Sequence, residues 1–274
     1  MPKNMNITTD EMYAALSRSG YLLESEIAKK LSEWGFFVET NLVIEDPFTG
    51  KSREIDIVAD YYNFEKMQNH SQTCAKIEFI FEIKNNIYPL VLLNEFDFNP
   101  RIEDYLGLKS IVTCPKNIKY NNYFVYHDKF VTDNKNHIFT QYCSFQKKNK
   151  NDDLMAFHPD NVHSSLSKII QYCEEKIEDW ESRNGDDNEE EFLRHFLYMP
   201  ILLIQDDLFE LKNNTLTKVD SSTLVINYHH KKVPSMAYVF VVTKDGLSQF
   251  IENSLLIENL VWDNLNSCST QKIV

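Results

Sequence analysis

The sequence predicts an α/β fold in which a mixed β-sheet is flanked by helices and carries a β-rich insertion in its middle. Two amphipathic helix patterns lie at about 19–34 and 163–183. Strand-type alternation of apolar and polar residues occupies 53–61 and 76–84. Short apolar segments separated by Asn, Lys and Pro fill 86–160, as expected of several short strands.

A single domain over 1–274 is the expected organisation. The chain has 274 residues and a hydrophobic fraction of 43%, which is enough for one packed core. We place the core motifs in 19–85 and an insertion at 86–160. A crossover helix and a C-terminal sheet and helix then occupy 161–274.

The composition restricts the function classes. The formal net charge of −13 is unusual for a nucleic-acid binder, so any such activity needs a local basic patch, bound divalent cations or a partner. The chain has six glycines, which argues against a Gly-rich phosphate loop. The five scattered cysteines contain no CxxC pair, which disfavours structural zinc and fits a reducing compartment. No apolar run has the length of a membrane span, so we expect a cytoplasmic protein with no membrane association.

The N-terminal region predicts two helices. Residues 9–18 form a short one, and a clearer one extends from about Ser19 to Trp34 and ends at Gly35. Glu24 borders the buried face of the second helix, whose apolar positions have helical spacing: Leu23, Ile27, Leu31 and Trp34. A carboxylate that leans inward needs a partner or a metal ion.

Two strands follow the second helix. Residues 37–45 alternate loosely and 53–61 alternate strictly, with turn residues at 46–50 between them, so we predict an antiparallel hairpin. On the second strand, Asp56 shares a face with Glu54 and Val58.

The next strand, 76–84, carries the sequence Glu82-Ile83-Lys84. Because side chains alternate along a strand, Glu82 and Lys84 share a face, opposite to Ile83. A neighbouring strand can bring Asp56 beside Glu82. Two close carboxylates repel each other unless they share a proton or a cation, and hard oxygen ligands suit Mg²⁺.

The remainder predicts more strands and two helices. We expect strands in the insertion at 90–93, 110–114, 123–126 and 138–145. Residues 163–183 form an amphipathic helix, 184–191 an acidic linker, and the following residues a short helix that leads to a buried strand at 200–204. Three further strands, at 208–211, 223–228 and 237–242, precede a final helix at about 247–265.

These motifs together resemble the PD-(D/E)XK, or restriction-endonuclease-like, nuclease superfamily. The resemblance covers about 19–85 and rests on Gly20-Tyr-Leu-Leu-Glu24, Arg53-Glu-Ile-Asp56-Ile-Val-Ala59 and Phe81-Glu82-Ile-Lys84. The order of helix Glu, strand Asp and strand Glu-x-Lys is that of the family core, α-β-β-β-α-β. The chain departs from the family pattern in having Ile55, instead of proline, before Asp56.

The resemblance implies a restriction-endonuclease-like sheet and a magnesium- or manganese-dependent endonuclease that hydrolyses DNA phosphodiester bonds. Asp56 and Glu82 would ligate the metal, with the carbonyl of Ile83, and Glu24 would be a water-mediated or second-metal ligand. Lys84 would orient the attacking water. The alternative is a catalytically silent or partner-dependent binding module with a nuclease fold, which the acidic charge favours. A double-strand cutter would also need a second site, and hence a homodimer.

Simpler interpretations of the same residues stay open. Glu82 and Lys84 could decorate a solvated sheet face, and Glu24 could pair with a nearby basic side chain. Gln141 is an additional polar candidate for the site. The set His158, Asp160 and His163 could bind metal, but a turn that leads into a helix explains it better. The pattern does not separate DNA from RNA or defence from repair.

Overall fold

The fold was analysed in a computed structural model. It describes residues 7–45, 52–66, 72–86, 88–95, 108–115, 118–120, 138–147, 153–183 and 192–270. The predicted strand at 123–126, the turn at 46–50 and the linker at 184–191 lie outside these ranges. The described part confirms a mixed α/β architecture, with a large sheet between helices.

Four helices occur in the described part of the chain: α1 (Thr9–Ser19), α2 (Tyr21–Glu33), α3 (Asp160–Arg183) and α4 (Leu247–Thr270). Thr8 caps α1 in a capping box with Glu11, which satisfies backbone N–H groups at the helix start. Gly20 both ends α1 and begins α2, with a left-handed φ of 94° that favours glycine. None of these helices combines the length and the apolar character needed to cross a membrane.

The described residues form twelve strands. They are β1 (Phe37–Glu45), β2 (Ser52–Lys66), β3 (Gln72–Lys84), β4 (Leu90–Glu95), β5 (Lys109–Thr113), β6 (Ile138–Lys147), β7 (Leu154–Phe157), β8 (Leu193–Ile204), β9 (Leu208–Lys212), β10 (Thr215–Val219), β11 (Ser221–His230) and β12 (Val233–Thr243). Strands β7 and β10 were not predicted. The other described strands confirm the predicted positions: β1 has the predicted bounds, β5 begins and ends one residue earlier, and the rest are longer than predicted.

The sheet has the order β1-β2-β3-β8-β12-β11-β6-β4-β9-β10. Strands β1, β2 and β3 form an antiparallel meander, and β8 runs parallel to β3 over its whole length. Helix α3 lies between β3 and β8 in the chain, and so forms the crossover that a parallel pair requires. The predicted hairpin of β1 and β2 is confirmed.

Each face of the sheet is covered by its own helices. On one face, α2 and α4 pack in one apolar cluster with Ile77, Phe79, Phe81 and Ile83 of β3. On the other face, α3 packs in a second cluster with Ile80. The predicted alternation of β3 is therefore confirmed, and Glu78 and Glu82 lie on the α3 side because they alternate with the first set.

The prediction of a short helix before residue 200 is wrong. Strand β8 is continuous from Leu193 to Ile204, and it is buried at most positions because β3 pairs with all of it. Its other side pairs with β5 as far as Tyr198 and with β12 from Ile201 onward. Pro200 lies in the gap between these two ladders, where a missing backbone donor is tolerated.

The inserted segment is part of the main sheet. Strand β4 pairs with β6 and with β9, and β6 also pairs with β11. Strand β5 pairs with β8 in the centre of the sheet. Residues 86–160 thus supply strands to the same core as the motifs in 19–85.

A buried carboxyl group lies on the opposite side of the sheet from α3. Glu258 of α4 is fully buried, and its Oε2 accepts a hydrogen bond of 2.7 Å from Asn63 Nδ2. Burial raises the pKa of Glu258 to about 7, well above its ordinary value of 4.5. This group makes the stability of the fold depend on pH.

Candidate active site

Asp56 lies where the pairing of β2 ends on the β3 side and is interrupted by one position on the β1 side. The ladder between β2 and β3 ends at Ile57 and Phe81. The ladder with β1 skips the position opposite Asp56, where Asn41 has a left-handed φ of 54°. Released from regular pairing, Asp56 turns its carboxylate to β3, and its Oδ2 accepts a 2.7 Å hydrogen bond from the backbone N–H of Ile83. The bond fixes the Asp56 carboxylate against the strand that carries Glu82.

Glu82 is 1% exposed, although it is charged. Two lysines compensate it. Lys84 Nζ lies 3.4 Å from Glu82 Oε2, and Lys168 Nζ of α3 contacts Glu82 Oε1. Lys168 Nζ also donates a hydrogen bond to the backbone carbonyl of Glu54, two residues before Asp56. Lys168 therefore joins α3 to both acidic strands.

Glu24 lies in the first turn of α2, next to the end of β3. Glu24 and Asn85 meet at Gly20: Glu24 Oε1 and Asn85 Cβ each lie 3.6 Å from the position that a Cβ on Gly20 would occupy. Asn85 follows β3 directly, and its Nδ2 donates hydrogen bonds of 2.6 and 3.3 Å to the carbonyls of Ser17 and Arg18 in α1. These contacts hold the junction of α1 and α2 against the strand end where Lys84 lies.

The acidic groups influence one another electrostatically. Burial raises the pKa of Asp56 and the charge of Glu82 raises it further, while the Ile83 N–H and the two lysines act in the opposite direction. Burial also raises the pKa of Glu24, with added contributions from Asp56 and Glu82. The structure thus brings all four predicted residues, Glu24, Asp56, Glu82 and Lys84, into one charged site.

Other acidic residues of the sheet differ in their surroundings. Glu210 and Lys212 repeat the Glu-x-Lys spacing on β9, with Lys212 Nζ 3.0 Å from Glu210 Oε2. The other oxygen of Glu210 accepts a 2.7 Å hydrogen bond from Ser222 Oγ, so both of its oxygens have partners on β9 or β11. The spacing alone therefore does not make the site.

A second acidic pair lies on the same two strands. Asp60 is opposite Glu78, and Lys76 forms ion pairs with both of them. Tyr62 donates a 2.7 Å hydrogen bond to Asp60, and the Lys76 Nζ lies 5.3 Å from the centre of the Tyr198 ring. Lysine and aromatic rings enclose this pair, which is the arrangement of a structural charge cluster.

Two further sequence candidates lie elsewhere. Gln141 is exposed on β6, where it is paired with Leu93 of β4. His158 packs against Tyr142, with 4.5 Å between ring centres and 40° between ring planes, just before α3 begins at Asp160. The interpretation of this region as a turn that leads into a helix is confirmed.

The donor set suits a hard divalent cation. Asp56 and Glu82 supply carboxylate oxygens, which are the ligands of Mg²⁺ and Mn²⁺. The buried Glu82 needs positive charge beside it, which Lys168 and Lys84 supply. Among the described residues, no three His, Cys, Asp or Glu side chains are arranged closely enough to hold an ion by themselves.

Sequence reasoning missed Lys168. The pattern of 163–183 predicts an amphipathic helix, and a lysine at the border of the apolar face of such a helix is ordinarily solvated. The available signal was weak: Lys168 is the first basic side chain in α3 apart from His163. Its role depends on how α3 docks on the sheet, which the helix pattern does not specify.

Replacing Lys168 by alanine is expected to lower the free energy of unfolding by about 3 kcal/mol, the low end for removing one partner of a buried charge, because Glu82 stays buried but keeps Lys84. The measurement is urea unfolding at pH 7. Lys29→Ala is the control, since Lys29 is 77% exposed and pairs with Glu33 at 3.7 Å; it should change stability by less than about 1 kcal/mol. Equal stability of both variants would contradict the role of Lys168.

Comparison with protein-family models, curated proteins and solved structures found no match to this chain. What the site can do is therefore judged from its own side chains.

Proposed function

We propose that this chain is a magnesium- or manganese-dependent nuclease of the PD-(D/E)XK type that hydrolyses phosphodiester bonds of DNA. The observation that carries the proposal is the meeting of Asp56, Glu82 and Lys84 where β2 and β3 separate. The order of α2, three antiparallel strands, a crossover helix and a parallel strand supports it as well, because this is the order of that family's core.

Asp56 and Glu82 would hold the metal ion, with the carbonyl of Ile83 as a further oxygen donor. The Ile83 N–H already fixes one oxygen of Asp56, which leaves Oδ1 for a cation. A bound divalent cation would polarise the phosphate and lower the pKa of its water. To share Glu82 with a cation, the Lys168 ammonium has to release Oε1.

Lys84 is suited to act on the substrate. It shares a face with Glu82 and is 23% exposed, whereas the carboxylate of Glu82 is almost fully buried. An ammonium group in this position can orient the attacking water and offset the negative charge that develops on the phosphate. Because the carboxylate beside it fixes its position, little reorganisation is needed during the reaction.

Glu24 and Lys168 would complete the site from the two flanking helices. Glu24 reaches the acidic pair from α2 and can bind a metal-bound water. Lys168 reaches it from α3 and balances the charge of the pair when no cation is bound. Both helices are packed into the core, so these positions are fixed by the fold.

The net charge of −13 favours a second candidate, a nuclease fold that acts only with a partner. Phosphate backbones are repelled by an acidic surface. The basic turn at 229–232 offers limited help, because His230 and Lys231 both pair with Glu178 at 2.6 and 2.5 Å. A partner subunit or a second copy of the chain would then supply the DNA-binding surface.

The test is metal-dependent cleavage by the purified chain. We expect it to cut plasmid DNA in Mg²⁺ or Mn²⁺, and to stop when EDTA removes the metal. Single-stranded circular DNA and a folded RNA are assayed in parallel, which identifies the substrate. Metal binding is measured separately as a rise in unfolding free energy, which reaches about 2.7 kcal/mol at 100 times the Kd.

The two measurements separate the candidates. Metal binding with cleavage supports the nuclease. Metal binding without cleavage, and without retardation of DNA at low salt, supports the partner-dependent module. The absence of both would contradict both candidates, because neither the acidic pair nor Lys84 would then have a ligand.

A further inference from the structure

A cavity of about 180 Å³ opens beside Lys84. It lies between the end of β3, the start of β4, strands β6 and β7, and the turn that begins α3. Its aromatic lining consists of Tyr88, Phe145 and Phe157. Leu90 and Val162 add aliphatic walls, and Lys84 and Asn161 contribute polar groups. The candidate site therefore continues into an apolar, aromatic recess.

Hydrogen bonds fix the walls of this cavity. Asn86 donates to the Tyr88 carbonyl at 2.7 Å, and its Oδ1 accepts from the backbone N–H of Gln205 at 3.0 Å and of Asp206 at 3.2 Å. Ser144 Oγ donates to the carbonyl of Pro89 at 3.2 Å. Asn86 and Pro89, which lie between β3 and β4, are thus tied by hydrogen bonds to the turn after β8 and to β6.

We infer that this cavity takes one unpaired nucleobase, from the nucleotide beside the phosphate that Lys84 contacts. The inference rests on the proposed nuclease function and adds the substrate class. The volume of the cavity is below the roughly 300–1,000 Å³ of pockets for drug-sized ligands, so a single ring system is a ligand of suitable size. Aromatic walls suit stacking, which tolerates any base.

The position of Lys84 favours a base over other flat ligands. Lys84 belongs both to the cavity lining and to the ion pair with Glu82, so the polar end of a cavity ligand lies at the candidate cleavage centre. A nucleotide has this shape, with an aromatic base joined through a sugar to a phosphate. The side-chain amide of Asn161, which lines the cavity, can form hydrogen bonds with the edge of the base.

A base inside a regular duplex is stacked and paired, so it must leave the helix to enter a cavity. A single strand, an overhang or an unpaired nucleotide avoids that energy. The net charge of −13 also favours a single strand over a duplex, because single strands carry a lower density of phosphate charge and are repelled less. The substrate class that follows is DNA with an unpaired nucleotide at the cleaved phosphate.

The test uses DNA oligonucleotides with 2-aminopurine at one position, whose fluorescence falls when the base stacks. Binding is measured in Ca²⁺, which takes oxygen ligands like those of Mg²⁺. We expect quenching with a single strand and with an unpaired 2-aminopurine. The base of the fully paired duplex is already stacked, so binding of all forms is also followed by the fluorescence anisotropy of an end label, and we expect the duplex to bind more weakly. Phe157→Ala should weaken binding of the unpaired forms about 5- to 150-fold.

Two further variants keep the test interpretable. Phe157→Leu retains an apolar side chain at this half-buried position but removes the aromatic face, so it should fold and still bind weakly. Phe64→Ala is the matched control, because Phe64 is 72% exposed on β2 and does not line the cavity. It should bind like the wild type.

The outcomes separate this inference from the proposed function. Unchanged quenching and affinity in both Phe157 variants would overturn the base cavity, while Lys84-dependent cleavage of the same oligonucleotides would keep the nuclease. Quenching that depends on Phe157, without cleavage in any metal, would support the cavity and overturn the nuclease. Equal binding of paired and unpaired forms would also overturn the cavity.

Discussion

Replacing Lys84 by alanine is expected to reduce metal-dependent DNA cleavage by at least about 10²–10³-fold, as when one electrostatic group is removed from other active sites. The reason is the loss of the ammonium that lies 3.4 Å from Glu82 and is open to substrate. The fold should persist, because Lys168 still compensates Glu82. Initial rates on plasmid DNA give the activity, and circular dichroism gives the fold.

Lys212→Ala is the control for this variant. Lys212 has the same Glu-x-Lys spacing on a strand, is 20% exposed and pairs with Glu210 at 3.0 Å. Replacing Lys212 removes an ion pair like that of Lys84 with Glu82 but leaves Asp56, Glu82 and Lys84 intact. Cleavage should therefore continue at the wild-type rate. If the two variants were equally active, Lys84 would have no role in the chemistry.

Glu82→Gln extends the test to the metal. The amide keeps the shape of the carboxylate and removes its charge, so we expect loss of cleavage and of Mg²⁺-induced stabilisation together. Loss of activity with unchanged metal binding would place the metal on other residues.

Replacing Glu258 by glutamine is expected to stabilise the protein by up to about 3 kcal/mol at pH 8, because a shift from 4.5 to about 7 represents that energy. The folded pKa is raised above the unfolded value. Between pH 4.5 and 7 the folded protein therefore holds a proton that the unfolded chain has lost. Stability is fully present below pH 4.5 and falls as the pH rises through 7.

Urea unfolding at pH 5 and pH 8 checks this prediction. The gain from Glu258→Gln should be small at pH 5 and close to its maximum at pH 8, since glutamine does not titrate and can keep the bond to Asn63. Glu252→Gln on the same helix is the control, because Glu252 is exposed. A gain that is the same at both pH values would contradict the assignment of the raised pKa to Glu258.

Much of the fold could be predicted from local patterns. The alternation of 76–84 correctly assigns Phe79 and Phe81 to one face of β3 and Glu82 to the other. Different helices cover the two faces, and successive side chains of a strand point to opposite faces. The prediction of a helix in the stretch from Leu193 is wrong because leucine, arginine and methionine favour helices in isolation. Pairing with β3 along its whole length outweighed that preference.

The site was less accessible to sequence reasoning. Glu82 and Lys84 follow from strand alternation, and a hairpin neighbour allows Asp56 to approach them. The interrupted ladders at Asp56 and the approach of Lys168 do not follow from any local pattern. They depend on Asn41 in the facing strand and on the docking of α3, which are tertiary properties.

The pairing of β3 with β8 has a consequence for how the chain folds. Thr73 pairs with Leu193 and Lys84 with Ile204, so the central ladder joins segments that are more than a hundred residues apart. Long loops must close before this ladder stabilises anything, and such high contact order is typical of slow folding. The β1–β2–β3 meander can form early from local contacts. The acidic end of β3 would then stay exposed to solvent until α3 and β8 pack against it.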